Sequence, residues 1–175
     1  MSGMEPVVKD SVVKLSLEHL NFLNRCVGFE LKLAELYHHF EEIFADDRSL
    51  SLLWKKTARE EENHAQQFNL AVRLQGVGML RVTTDVSKAA ANLQALEAFL
   101  EKVMVATPSQ EEALGLAIRL EEQLASLHMY SIVLFEDQQL KTLFHAMMQH
   151  DQGHISTLRD YQTALTSGAN ATPLS

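Results

Sequence analysis

GVGMLRVTTDVSKAAANLQALEAFLEKVMVATP, from Gly76 to Pro108, is the stretch on which the fold turns. It is too long for a simple loop in a compact domain. Within it Ala89, Leu93, Leu96, Phe99, Leu100 and Val103 recur at helical spacing, so the pattern predicts a helix over roughly Val86–Val105. Asp85 or Ser87 is placed to cap it. The stretch therefore reads as a crossover that carries a helix of its own.

On its N-terminal side lie two long helical patterns. The first runs from Leu17 to about Ala45, with Ser16 as N-cap and a stripe of Leu17, Leu20, Leu23, Val27, Ala34 and Phe44. Asp46 to Ser49 form a short polar turn. The second begins near Ser49, shows Leu50, Leu53, Trp54, Thr57, Phe68 and Val72 on one face, and stops at Gly76 and Gly78. A turn that short implies an antiparallel pair. The C-terminal side repeats the arrangement. A third helix opens at Thr107–Pro108, with proline in the first turn and Glu111 and Glu112 beside it, and carries Leu114, Ile118, Ala125, Ile132 and Phe135. After a polar break at Glu136 to Gln138, a fourth carries Leu140, Leu143, Phe144, Met147, Leu158, Tyr161 and Leu165. Two short-looped pairs joined by one long crossover define a four-helix bundle of a particular connectivity. Residues 1–15 are a polar lead-in, residues 16–166 form one domain with its crossover at 76–108, and 167–175 read as a disordered tail.

Bulk properties agree with this and exclude several classes. The chain has 175 residues, 46% apolar and 22% charged, enough for a real core in one domain. Seven glycines and three prolines leave long uninterrupted stretches, which favours helix over a β-rich fold. A net charge of -8 argues against broad nucleic-acid binding, which needs a basic surface. The lone Cys26 excludes a disulfide framework and a cysteine-rich zinc or iron–sulfur site, and with only Arg25 as a basic neighbour it is not a reactive thiolate. There is no apolar run for a signal peptide or a membrane span, so the expectation is a cytoplasmic protein with no membrane association.

The chemistry concentrates in EEENH, Glu60 to His64, and in HDQGH, His150 to His154. Glu61 and His64 lie three residues apart, as do Asp151 and His154, which sets each pair on one helix face. The two helix pairs also align with each other. FELKLAELY (Phe29–Tyr37) matches LEEQLASLH (Leu120–His128), placing Glu30 on Glu121. In the same register Glu30 to Glu61 is 31 residues and Glu121 to Asp151 is 30. Each half thus offers a glutamate on its first helix and a carboxylate-x-x-His on its second. A one-residue slip would exchange Glu121 for Glu122. Carboxylates set into apolar stripes are costly unless paired or bound to a cation, and four that converge would repel one another. Two cations would resolve this. Oxygen-rich ligands with two imidazoles suit iron or manganese; zinc could occupy such a site, and calcium is disfavoured by the histidines.

These residues resemble the ferritin-like di-iron carboxylate superfamily, and its rubrerythrin-type members in particular, over about residues 16–166. A ligand pattern of one Glu from each of two helices and a Glu-x-x-His from each of the others is characteristic of that family. The resemblance implies an all-α, ferritin-like antiparallel four-helix bundle with an extra helix in the crossover between helices two and three. It implies metal ligands at Glu30, Glu61, His64, Glu121, Asp151 and His154, two irons per chain, and reaction with peroxide or dioxygen as a peroxidase or ferroxidase. Tyr37, seven residues after Glu30, corresponds to the family's helix-one tyrosine and is the candidate catalytic residue, with core packing as its other reading.

Three departures stand out. Asp151 replaces the usual glutamate. Ile118 and Leu124 stand where rubrerythrins carry a further glutamate, which argues against their iron movement and efficient peroxidase turnover. No rubredoxin module with paired CxxC motifs is present, so electrons would come from an external donor; the resemblance also implies a homodimer. The competing reading is a non-catalytic metal-binding or sensing bundle, or a metal-free structural or interaction module. His128, where the other half has Tyr37, reads as a donor to a ligating carboxylate or a satisfied core histidine in preference to a third nitrogen ligand. Gly153 is unfavourable inside a helix; close helix approach or tight metal packing would explain it. His38, His39, His145 and His150 are expected at the surface or its boundary.

Overall fold

The computed structural model describes residues 13–14, 16–75, 81–82 and 86–167. The described chain is all-α apart from one two-residue ladder, in which β1 (Val13–Lys14) pairs antiparallel with β2 (Arg81–Val82). Five helices follow in order: α1 Leu17–Ile43, α2 Arg48–Gln75, α3 Ser87–Met104, α4 Gln110–Leu134 and α5 Gln138–Thr166. The expected stops at Gly76 and Gly78, a cap at Asp85, most of the lead-in and nearly all of the tail lie outside the described residues.

Local chemistry starts each long helix. Ser16 accepts from the His19 amide at the head of α1. Asp47 Oδ1 accepts from the Leu50 amide at 3.0 Å and opens α2 after a four-residue link. At α4 a capping box forms, Ser109 and Glu112 each satisfying the other's backbone N–H. Pro108 therefore stands before the cap and not in the first turn as expected, because Ser109 supplies the side-chain acceptor that a helix start needs. Asp137 takes the amides of Gln139 and Leu140 and opens α5. At α3, Val86 occupies the cap position without a side-chain bond, so Ser87 does not cap it.

Contacts at the two ends fix the helix directions. At one end Tyr37 (α1) bonds Glu121 (α4), and the Tyr161 hydroxyl (α5) reaches the Ser49 carbonyl (α2). At the other, Phe22 (α1) meets Tyr130 (α4) edge-on and Phe68 (α2) packs on Phe144 (α5). So α1 and α5 run one way, α2 and α4 the other. The chain leaves α2 at the far end from where α4 begins and must travel the length of the molecule. The 18 residues of α3 span about 27 Å of that distance. Leu93, Leu96, Leu100 and Val103 bury one face of α3. Arg25 and Glu97, joined by two hydrogen bonds of 3.1 and 2.7 Å, together with the Lys32–Glu101 pair, tie its other flank to α1. Arg119 sits 5.9 Å above the Phe99 ring and ties it to α4.

Two apolar blocks fill the interior. Tyr37, Phe40 and Trp54 form one, with Tyr37 stacked on Trp54 at 5.6 Å. Phe68, Phe135 and Phe144 form the other. Between them lies a band of buried polar side chains. Every predicted stripe residue is buried or half-buried except Leu17 and Leu165, in the first turn of α1 and the last turn of α5, which are 72% and 41% exposed. Cys26 is buried, and burial pushes its thiol well above its usual value, which disfavours the thiolate. His145 and His150 are exposed, and His38 and His39 half-buried.

Candidate metal centre

The polar band contains Glu30 from α1, Glu61 and His64 from α2, Glu121 and His128 from α4, and Asp151 and His154 from α5. All four carboxylates and His128 are fully buried; His64 is 1% and His154 7% exposed. The structure thus brings all six sequence-predicted ligands to one level of the molecule. Helix periodicity explains how. Glu61 and His64 share a face of α2 one turn apart, and Asp151 and His154 share a face of α5. Each pair interrupts its own apolar stripe.

Each carboxylate is anchored by one oxygen. Glu30 Oε1 accepts from His128 Nε2 at 2.8 Å, and Asp151 Oδ2 accepts from His128 Nδ1 at 2.5 Å. Glu121 Oε1 accepts from the Tyr37 hydroxyl at 2.5 Å. Glu61 Oε2 shares a hydrogen bond with His64 Nδ1 at 3.1 Å. The second oxygen of every one of them, Glu30 Oε2, Glu61 Oε1, Glu121 Oε2 and Asp151 Oδ1, is buried with no hydrogen-bond partner, as is His154 Nδ1. These atoms approach one another. His154 Nδ1 is 3.7 Å from Glu61 Oε1 and 4.0 Å from Glu121 Oε2, and His64 Nδ1 is 3.8 Å from Asp151 Oδ1. Among the described residues two clusters emerge, Glu30 with His64 and His128, and Glu61 with Glu121 and His154; in each, one donor atom per residue lies within 4.8 Å of the others, and the expected ligand Asp151 belongs to neither, its Oδ2 being taken up by His128. A buried polar atom without a partner is destabilising by about 1–3 kcal/mol. Five at one place describe a site shaped for something that accepts lone pairs, and a carboxylate–imidazole set of this kind fits divalent or trivalent first-row metals.

No family model, curated protein or solved structure matches this chain.

Electrostatics bear the signature of crowded like charges. Burial, with Glu121 and Glu30 as neighbours, pushes Glu61 well above the carboxylate range. Burial pushes Glu121 up to about 7, against the pull of His154 and the Tyr37 hydroxyl. Burial opposes the charged form of His128, but Asp151 and Glu30 on either side overcome it and raise it to about 10. Flanked by two carboxylates, His128 is held towards its charged form, in which both nitrogens donate. His64 is lowered, chiefly by burial. His154 is raised despite burial, by Glu60 at its Nε2 and by Glu121. Burial and Glu121 push the Tyr37 hydroxyl well above its ordinary value, so it remains a donor.

Two residues exceed what the sequence reading gave them. His128 lies within the cluster as the group that bridges Glu30 and Asp151, and the internal repeat was the signal: it occupies the position of Tyr37 in the other half. The two are crossed, Tyr37 of the first pair holding Glu121 of the second and His128 of the second holding Glu30 of the first. Glu60, the residue before Glu61, is partly buried and contacts His154 Nε2. Nothing in a run of three glutamates reveals that role. Gly153 is not explained by close approach: a Cβ there would meet nothing within 4 Å.

Proposed function

We propose that this chain is a ferritin-like di-metal carboxylate protein of rubrerythrin type, acting as an oxidoreductase on peroxide or dioxygen with electrons from a separate partner. One observation carries the reading: four buried carboxylates from four helices are each held by one oxygen, while the other oxygen is buried without a hydrogen-bond partner. A protein that anchors one oxygen and frees the other has oriented its ligands in advance. Glu30, Glu61, His64, Glu121, Asp151 and His154 would hold two irons, with manganese or zinc as other occupants. Bound there, the metals would supply one-electron redox chemistry at peroxide or dioxygen.

The surrounding residues have definite tasks. Tyr37 orients Glu121 and offers a proton at its hydroxyl. His128 fixes the distance between Glu30 and Asp151. The aromatic blocks on either side give the band apolar surroundings, which strengthens the charge interactions between them. The direction of the helices, with α3 returning the chain along the bundle, supports the ferritin-like connectivity.

A second reading has an observation of its own. His128, charged and bonded to both Glu30 and Asp151, already offsets part of the negative charge. A non-catalytic or metal-free bundle acting as a sensor or interaction module would keep that arrangement. Anaerobic loading with ferrous iron followed by metal analysis separates the two. The oxidoreductase reading expects about two irons per chain, lost in the Glu61→Ala/His64→Ala double variant, and iron oxidation on adding peroxide. Protein that retains no metal after loading overturns it. Bound iron inert to peroxide and dioxygen leaves the sensor.

A further inference from the structure

Between the N-terminal half of α2 and the C-terminal half of α5 lies a cavity of about 280 Å³. Leu52, Leu53 and the Tyr161 ring give it apolar walls. Three hydroxyls on the lining residues have already spent their protons within the protein. Thr57 donates to the Leu53 carbonyl at 3.0 Å, Thr157 to the Gly153 carbonyl at 2.9 Å and Tyr161 to the Ser49 carbonyl at 3.4 Å. Where the cavity meets the polar band, Glu60 and His154 engage each other. One charged group remains on the lining, the Lys56 ammonium. Its field helps to hold the Glu60 carboxyl low, yet among the described residues it has no hydrogen bond or ion pair. The adjacent Lys55, by contrast, is paired with Glu41 at 3.1 Å. An exposed lysine lays its hydrocarbon stem along apolar surface and keeps its ammonium at the water boundary, so an unspent cation stands at the mouth of an apolar cleft.

We propose that this cavity is a ligand site for a small monocarboxylic acid with an apolar body, its hydrocarbon against Leu52, Leu53 and Tyr161 and its carboxylate on Lys56. The size sets the scale of the ligand, since the volume approaches the lower end of small-molecule pockets, roughly 300–1,000 Å³. The walls set its body. With three hydroxyl protons committed inside the protein, a polyhydroxylated ligand would leave acceptors of its own unpaired, which is costly, whereas a hydrocarbon gains from leaving water. The charges set its head. An amine would be repelled by Lys56, and a doubly charged phosphate would be repelled more strongly by the nearby Glu60 than a single carboxylate is. The site is independent of any metal. Of the proposed metal ligands only His154 borders it, and Glu60 holds His154 there by Nε2.

Calorimetric titration of the full chain with octanoate and with phenylacetate tests the site, with octanol and 2-phenylethanol as the uncharged counterparts. The chain acid and the ring acid distinguish the two shapes of apolar body. At least one of the two acids should saturate a single site and bind at least fivefold tighter than its alcohol. Lys56→Glu reverses the charge at an exposed helical position that glutamate suits. It should weaken the acid at least tenfold and leave the alcohol within twofold. Leu52→Glu, on a wall residue that is 56% exposed and so does not threaten folding, should weaken acid and alcohol alike at least tenfold. Raising the ionic strength should weaken the acid alone. Failure of both acids to saturate overturns the site. So does an alcohol that binds as tightly as its acid, or an acid whose binding both variants leave unchanged.

Discussion

Tyr37 and His128 do the same job by different chemistry. Each reaches across from its own helix pair to hold a glutamate of the other, and each is fully buried. The phenol is a neutral donor, whereas the imidazole donates twice and carries charge. Their removal should therefore have different consequences. Tyr37→Phe leaves Glu121 Oε1 buried without its donor and should destabilise the metal-free protein by about 1–3 kcal/mol in urea titration. His128→Leu removes the cation between Glu30 and Asp151 and should destabilise by about 3–5 kcal/mol. Saturating ferrous iron should restore part of the loss in His128→Leu, since a cation replaces a cation. No recovery would place the stabilising role of His128 outside the centre's charge balance.

Among the helices, α4 and α5 each open on a side-chain cap, Ser109 and Asp137. The Ser109–Glu112 capping box satisfies two backbone donors at the head of α4, and Ser109→Ala should destabilise by about 1 kcal/mol, read from the urea midpoint at constant slope. In α5, Gly153 lies inside the segment that presents Asp151 and His154. A methyl group there has open space, and alanine restricts the unfolded chain more than glycine does. Gly153→Ala should therefore stabilise by roughly 0.5–1 kcal/mol, with the midpoint moving up. A loss of stability would mean that the glycine serves a motion of α5 that the static packing does not display.

At the scale of the whole molecule, the buried charges tie stability to pH. Glu121 rises from an ordinary 4.5 to about 7 on folding, so its contribution is complete below 4.5 and is lost as pH climbs to 7. His128 rises from 6.5 to about 10, so its contribution is complete below 6.5 and is lost as pH climbs to 10. Both slopes have the same sign. The metal-free protein should show a Tm that falls from pH 5 to pH 9 in thermal unfolding followed by circular dichroism, and His128→Leu should flatten the upper part of that range. Loading with iron should reduce the fall, because a cation stabilises the ionised carboxylates that high pH produces. A metal-free Tm that rises across this range would contradict the charge assignment of the core.

The amino-acid sequence by itself determined the helices and the periodicity of the site. Caps, apolar spacing and carboxylate-x-x-His intervals act within one or two turns, and so they can be read from neighbours along the chain. Pairing of α1 with α2 and of α4 with α5 followed from short links. The tertiary structure alone decided which atoms meet. Whether Pro108 or Ser109 governs the start of α4 depended on which side chain reached a free amide. That Glu60, lying outside the central band, still contacts His154 depended on how α5 is rotated against α2, and no spacing within α2 encodes that angle. The crossover from Gly76 to Pro108 shows the division most clearly: its helix was legible from Ala89 to Val103, but its passage back along the bundle is fixed only by what it packs against.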